Sequence, residues 1–399
     1  MKIKHVILRR VEGPEAGERS RTRGVPGTLS TEADTAPSPV SIKVESLTAR
    51  GVAEVAREKD VEAVAPVVPL KLIAPVKVGA TADVAANGTT WGVKAVGADT
   101  SPFTGDGVVV AVLDTGIDAT HPAFAGVNLV KKNFTTEQDT DLHGHGTHCA
   151  GTIFGRKVGG TRIGVAPGVK TAVIGKVIGD GGGGSDTLLA AIEWALQNGA
   201  NVISMSLGID FPGLVAKLEQ QGVPAELATS MALEGYRDNV ALFGKLAALV
   251  QARSAFAQPA LIVAAAGNES RRDEDANFVI AVSPPAAAEG IVSVAALGQG
   301  SQGFTIAPFS NTKARLSGPG VDVSSAKAGG GLTSMSGTSM ATPHVAGVAA
   351  LWAEKLQKSN QFQAQRFVDR LVGSGTMDGL KGGFDPTDVG VGIVRAPQN

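Results

Sequence analysis

The regions near residues 107–114, 170–178, 200–208, 260–268 and 290–297 are almost continuously apolar. Short runs of that kind suit strands buried on both faces, as in a parallel sheet covered by helices. Helical spacing falls between them, most clearly from Asp186 to Asn198, where Gly199 stands as a C-cap. The alternation predicts an α/β fold, a doubly wound parallel sheet flanked by helices on both faces, with right-handed crossovers. Between Gly208 and Ala260, the residues Leu227, Met231, Tyr236, Val240, Phe243, Ala247 and Val250 recur near helical spacing. Two helices are expected over 209–259, as an extra covering layer or as a rim and partner surface beside a binding pocket.

The start of the chain has a different texture. Residues 1–40 read as a flexible segment, because 11–40 are rich in Arg, Glu, Ser, Thr, Pro and Gly. Ser41 to Leu47 then alternates like a strand, Thr48 to Lys59 is helical, and Val61 to Leu72 reads as a second strand. Residues 41–90 would thus form a small α+β region with a linker, ahead of a main domain over 91–399.

Candidate chemistry gathers where these elements end. The run Gly107 to Leu113 delivers Asp114 at its carboxyl end, where open α/β sheets bind ligands. His143-Gly-His-Gly-Thr-His148 supplies His145, and Leu261 to Asn268 is a buried strand ending in a side-chain amide. In Gly337-Thr-Ser-Met-Ala-Thr-Pro-His-Val-Ala-Gly347, small residues lead to Ser339. Pro343 takes a first-turn position, and Val345, Val348, Ala349, Trp352 and Leu356 continue with helical spacing. A serine at a helix N-terminus has free N–H groups and a positive dipole end beside the charge that forms when it attacks a carbonyl. It still needs a base and a group to orient that base. His145 and Asp114 fit those two parts, and Asn268 with the Ser339 N–H fits a two-donor oxyanion hole. Taken singly, each signal has a plainer reading: Asp114 as a cap, Asn268 as a loop residue, and His143, His145 and His148 as a metal cluster.

Taken together and in this order, the four motifs resemble the subtilisin family of serine proteases. The likeness runs from about Trp91 to the C-terminus and includes Gly164 to Gly168, Ile203 to Gly208, Phe309-Ser-Asn311, Pro319-Gly-Val321 and Asp388 to Gly392. It implies catalysis by Asp114, His145, Ser339 and Asn268, with His148 a buried structural residue and His344 a packing one. It also implies a Gly-rich edge strand at Gly181, Gly182 and Gly183, where extended peptide pairs as an added strand. Ser206, Leu207 and Gly208 would form the opposite edge and one pocket wall, and Ala265, Ala266 and Gly267 another. Ser185 falls where relatives often carry a larger side chain, which suggests an open S4 subsite. The pocket floor falls in or after Arg271 to Asp275, leaving an apolar or a basic P1 residue open. The oxygen ligands of the family's strong calcium site are replaced by Ala123 and Val158, so that site is expected to be absent and no cofactor is required. Residues before 90 resemble a propeptide inhibitor that threads its tail through the active site, with self-cleavage between Leu72 and Trp91.

Composition adds bounds. At 399 residues with 43% hydrophobic content the chain can bury a large core. Its net charge of -1 gives no electrostatic case for nucleic acid or an anionic membrane. The resemblance implies protein or peptide substrates as partners, with the N-terminal segment itself as an intramolecular inhibitor. The single Cys149 allows no intramolecular disulfide and reads as a packing thiol. Met1 to Arg10 lacks a signal-peptide core, which reads as cytoplasmic unless a signal was removed. The same triad would serve a peptide ligase or macrocyclase, and a silent binding scaffold is the remaining alternative.

Overall fold

The computed structural model describes residues 2–10, 40–77, 88–252 and 258–399. Strands β1 (Ile3–Arg10) and β2 (Val40–Leu47), helix α1 (Ala49–Val55) and strand β3 (Val61–Pro66) form the first unit. Its antiparallel sheet has the order β2-β1-β3, so β1 is the centre strand. This corrects the reading of 1–40 as flexible for residues 3–10; residues 11–39 lie outside those described. The reason is long-range: Val6 and Leu8 are buried in a cluster shared with Leu188, Leu242 and Phe243 of the main domain. The run Val61 to Leu72 is also not one strand. It breaks at Val67 and Val68, and β4 (Pro69–Leu72) belongs to a different sheet.

The chain continues through β5 (Gly88–Thr89), α2 (Trp91–Ala95), β6 (Val109–Asp114), β7 (Asn128–Asn133), α3 (His145–Phe154), β8 (Thr161–Arg162) and β9 (Thr171–Lys176). Next come β10 (Gly183–Gly184), α4 (Ser185–Gln197), β11 (Val202–Met205), β12 (Leu207–Ile209), α5 (Phe211–Gln220), α6 (Ala225–Ala252) and β13 (Leu261–Ala265). The last part holds β14 (Val292–Gly300), β15 (Gly303–Ile306), β16 (Leu316–Pro319), β17 (Val323–Ala326), β18 (Leu332–Met335), α7 (Thr338–Lys358), α8 (Ala364–Val372) and α9 (Pro386–Val389).

The described residues form an eight-stranded sheet of order β15-β14-β13-β11-β6-β9-β7, with β16 also paired to β14; every pairing but β14 with β15 is parallel. Both faces are covered, which explains the continuous apolar runs. In β6, Val110 and Val112 join the cluster that holds Ile153 of α3 and Val345 of α7. Ala111 and Leu113 point the other way, into the cluster of Leu188 and Ile192 of α4 and Phe243 of α6. The expected α/β architecture is therefore the one observed, with two helices, α5 and α6, over the segment after Gly208.

Helix α6 carries the first unit. Asn239 Nδ2 donates to Pro66 O (2.9 Å), and Gly235 faces Pro66 and Val68 where a side chain would crowd them. From there β4 runs between β10 and β12, antiparallel to both, with Leu70 opposite Gly183 and Leu72, Lys71 and Leu70 opposite Leu207, Gly208 and Ile209. No helix among the described residues is long and apolar enough to cross a membrane.

Candidate active site

Asp114 is the last residue of β6, and His145 opens α3 behind Gly144, whose φ of 81 only glycine takes without strain. The His145 Nδ1 lies 2.8 Å from Asp114 Oδ1, an oxygen that also accepts from Thr115 N (2.7 Å). Both side chains are buried. Burial disfavours a charged imidazole, but the Asp114 carboxylate outweighs it and holds the His145 pKa well above its ordinary value.

One organiser of this corner was missed in the sequence. Buried Asp141 accepts from Thr115 Oγ1, Gly144 N, Thr147 N and Thr147 Oγ1, so it fixes both the strand end and the first turn of the histidine helix. Its only sequence signal is an acid shortly before a His-Gly run, which a solvated loop would show equally.

Ser339 is the second residue of α7, fully buried beneath residues 73–76. Its N–H stands in the first turn, where no helix carbonyl reaches it. Pro343 is not in that first turn, as the sequence reading had it, but inside the helix. Lacking an N–H, it leaves the Ser339 carbonyl free of its usual partner four residues on. Ser206 Oγ (3.2 Å) and Cys149 Sγ (3.4 Å) donate to that carbonyl instead. The Ser339 Oγ donates to Ile73 O (2.7 Å), and His145 Nε2 has no hydrogen-bond partner among the described residues.

The Asn268 side chain is oriented by its neighbours. Thr338 N (2.9 Å) and Thr338 Oγ1 (2.8 Å) donate to its Oδ1, so its Nδ2 faces the cleft and donates to Ala74 O (2.9 Å). The Ser339 hydroxyl and the Asn268 amide thus both meet one peptide segment, residues 73–76. Val76 N continues the pairing to Ser336 O (2.8 Å), and Ile73 N donates to Ser206 O (3.3 Å).

The profile of the Subtilase family matches residues 105–376. The chain belongs to the subtilase family. It is 33% identical over 278 residues to "Subtilisin-like protease 6" of Trichophyton rubrum, covering 66% of this chain and 58% of that protein. It is 36% identical over 279 residues to "M-protease" of Shouchella clausii (strain KSM-K16), covering 68% of this chain and 61% of that protein. The chain thus spans about three fifths of the length of these curated relatives.

The cleft edges of this subtilase differ in detail from the sequence reading. On the glycine side the ladder to β4 is formed by β10, Gly183–Gly184; Gly179 and Gly182 pair in a tight turn, and Gly182 still faces the docked strand, since a Cβ there would lie 2.8 Å from Leu70 O. Ser185 is buried and tied to the N-terminal segment: its Oγ accepts from Val68 N (3.1 Å), and its N–H donates to Val68 O (3.0 Å). Ser206, Leu207 and Gly208 lie along the opposite edge, and a Cβ at Gly208 would sit 3.7 Å from Ile73 Cδ1 and 3.2 Å from Ser283 Oγ. Ala265 ends β13 beside the cleft, while Ala266 turns into a buried cluster with Ala295 and Ala314, so it backs the wall without lining it. Gly267 is held by its N–H donating to Thr338 Oγ1 (3.2 Å). The acids Asp273, Glu274 and Asp275 are exposed, and Arg272 pairs with Asp388, while the Ile73 side chain reaches Gly208.

The histidines divide by environment. His148 Nε2 donates to Val323 O (2.9 Å), and His344 Nδ1 to Met340 O (2.8 Å). Desolvation lowers the His148 pKa to about 3 and that of His344 to about 4. The ring of His143 meets His145 edge-on at 6.1 Å. Ligating atoms of Asp114, His145 and Cys149 lie within 4.8 Å of one another, but burial pushes the Cys149 thiol up and keeps it protonated, a poor metal ligand. Ala123 is buried in the turn after His121, and Val158 pairs with Thr161 in a tight turn.

The two depressed histidines set an acid limit on stability. An unfolded imidazole titrates near 6.5, so the native state binds fewer protons than the unfolded one below that pH. Stability present above pH ~6.5 is therefore lost as pH falls towards 4, by about 3 kcal/mol for each ring at about 1.4 kcal/mol per unit. His145, with its raised pKa, acts in the opposite sense but is a single ring. Guanidinium midpoints of the Ser339→Ala chain should fall steeply between pH 7 and 4.5, and less steeply when His344 is also replaced by Asn; a flat profile would contradict this account.

Proposed function

We propose that this subtilase is a serine endopeptidase made as a self-processing zymogen, in which the N-terminal unit delivers its own tail to the catalytic site. The observation that carries the reading is the Ser339 Oγ placed 2.7 Å from the carbonyl oxygen of Ile73, the residue that follows β4, itself paired to both cleft edges. Cys149 Sγ, 3.4 Å from Ser339 O and 3.8 Å from His145 Nδ1, sets the Asp114–His145 pair next to that serine.

The register supports one bond as the one cut. Ile73 is buried against Gly208 and Ser206, Leu70 is buried among the apolar residues of α4 and β9, and Leu72 borders a cavity of about 330 Å³ lined by Leu142, His143 and Lys176. Ile73 therefore occupies the P1 position and Ala74 the P1′ position. This favours an apolar P1 residue over a basic one.

For reaction, the Ser339 hydroxyl turns from Ile73 O to the unpartnered His145 Nε2. The Oγ then bonds to the Ile73 carbonyl carbon while its proton passes to Nε2, and Asp114 stabilises the imidazolium. The Ile73 oxygen, now negative, moves into reach of Asn268 Nδ2 and the Ser339 N–H. The C–N bond to Ala74 breaks as Nε2 returns the proton to the leaving nitrogen, and water, activated by the same base, hydrolyses the acyl-enzyme. As found, Asn268 Nδ2 holds Ala74 O, so before cutting it must exchange that carbonyl for the one of Ile73, while Ile73 keeps its pairing to Ser206. No metal is invoked, and Ala123 and Val158 offer no side-chain oxygen to the calcium position expected in relatives.

The test is incubation of the purified full chain without substrate, followed by intact mass and N-terminal sequencing. The expected product begins at Ala74, with residues 1–73 as the second fragment. A chain that stays whole and also leaves added peptides uncut would overturn the reading.

A further inference from the structure

The strand in the cleft carries one charged residue, Lys71, opposite Gly208 of β12. Its ammonium lies 3.4 Å from Asp210 Oδ1 and 3.6 Å from Glu269 Oε1. These acids come from different walls of the cleft: Asp210 follows β12 directly, and Glu269 follows Asn268. Each is held from behind without Lys71. Asp210 caps α5, accepting from Gly213 N (3.3 Å), and the other oxygen of Glu269 accepts from Asn311 Nδ2 (2.8 Å). Asn311 is itself fixed, because its Oδ1 accepts from Glu269 N (3.0 Å) and Ser270 N (3.1 Å). The fold therefore presents two carboxylates towards the side chain two residues before Ile73 whether or not a cation is there.

We propose that Asp210 and Glu269 form a specificity subsite that selects substrates with Lys or Arg two residues before the attacked carbonyl. The inference rests on the endopeptidase reading and adds to it the charge of the preferred substrate. A cation at this position reaches both walls at once, whereas an acidic side chain meets two like charges. Because all three groups are partly exposed, solvent screens the attraction, and the discrimination is modest and salt-dependent.

The experiment uses the self-processed enzyme and peptides copied from residues 70–76, acetyl-Leu-Xaa-Leu-Ile-Ala-Pro-Val-amide, with Xaa as Lys, norleucine or Glu. At low salt kcat/KM is expected to be about fivefold higher for Lys than for norleucine, with Glu lowest, the span one or two well-placed surface ion pairs give. The ratio should shrink towards one in ~1 M salt, where the Debye length is about 3 Å. It should also shrink in Asp210→Asn/Glu269→Gln, a change that a purely structural effect on the cleft would not produce. Equal values for the three peptides at low salt would overturn the inference. Where added peptides are not cut, the comparison moves to self-processing: Lys71→Glu should slow release of the N-terminal fragment several-fold, and an unchanged rate overturns the inference. A wild-type chain that cuts neither itself nor any peptide sinks the endopeptidase reading instead.

Discussion

Ser339→Ala is expected to leave the chain at its full length of 399 residues indefinitely, with no covalent adduct from a fluorophosphonate probe. Among the described residues the Ser339 Oγ is the hydroxyl placed on the Ile73 carbonyl, while Ser206 Oγ is spent on the Ser339 carbonyl and Thr338 Oγ1 on Asn268. Loss of a triad serine costs about 10⁶ in turnover, a figure carried over from subtilisin itself. Folding should survive. The hydroxyl gives up one hydrogen bond to Ile73 O, worth about 1 kcal/mol, and a methyl fits the same buried space. The measurement is intact mass against time for wild type and variant side by side, each with and without probe. Processing of the variant within tenfold of the wild-type rate would remove Ser339 from the mechanism.

Asp114→Asn should lower kcat/KM by about 10⁴ while leaving the fold in place. Oδ1 of Asp114 gathers donors from Thr115 N and His145 Nδ1. A full negative charge holds both well; an amide oxygen carries only part of one. The His145 ring is then free to take the tautomer with its proton on Nε2, which cannot accept the serine proton. The pH profile supplies the second readout. With Asp114 present the His145 pKa is raised, so activity, which needs the neutral ring, falls as pH drops through a value above 6.5. In the Asn variant that support is gone and the acid limb of the residual activity should move to lower pH. An unmoved limb would show that some other group controls it.

Much of this could be read along the chain because the relevant signals are local. A buried parallel strand writes itself as an apolar run, and Asp114 and Asn268 stand directly after two of them. His145 and Ser339 each sit at a helix start flagged by small residues. What stayed hidden depends on pairing between distant segments. The strand Ile3–Arg10 exists because Val40–Leu47 and Val61–Pro66 flank it, and its short apolar stretch gains meaning only from α4 and α6. Residues 69–72 become a strand only between Gly183–Gly184 and Leu207–Ile209, so no periodicity separates them from β3. The division of the glycine run into a turn at Gly182 and a paired strand at Gly183 and Gly184 has the same origin, since four successive glycines fit a turn and a strand equally well.

Pro343 gives the site a mechanical linkage. Because the proline cannot hold the Ser339 carbonyl, Ser206 does, and the carbonyl of Ser206 accepts the N–H of Ile73. The residue that registers the incoming strand therefore also steadies the backbone of the nucleophile. A peptide that seats badly on this edge perturbs the attacking oxygen along with its own position. Poor substrates would be recognised by how slowly they react once bound, more than by how weakly they are held.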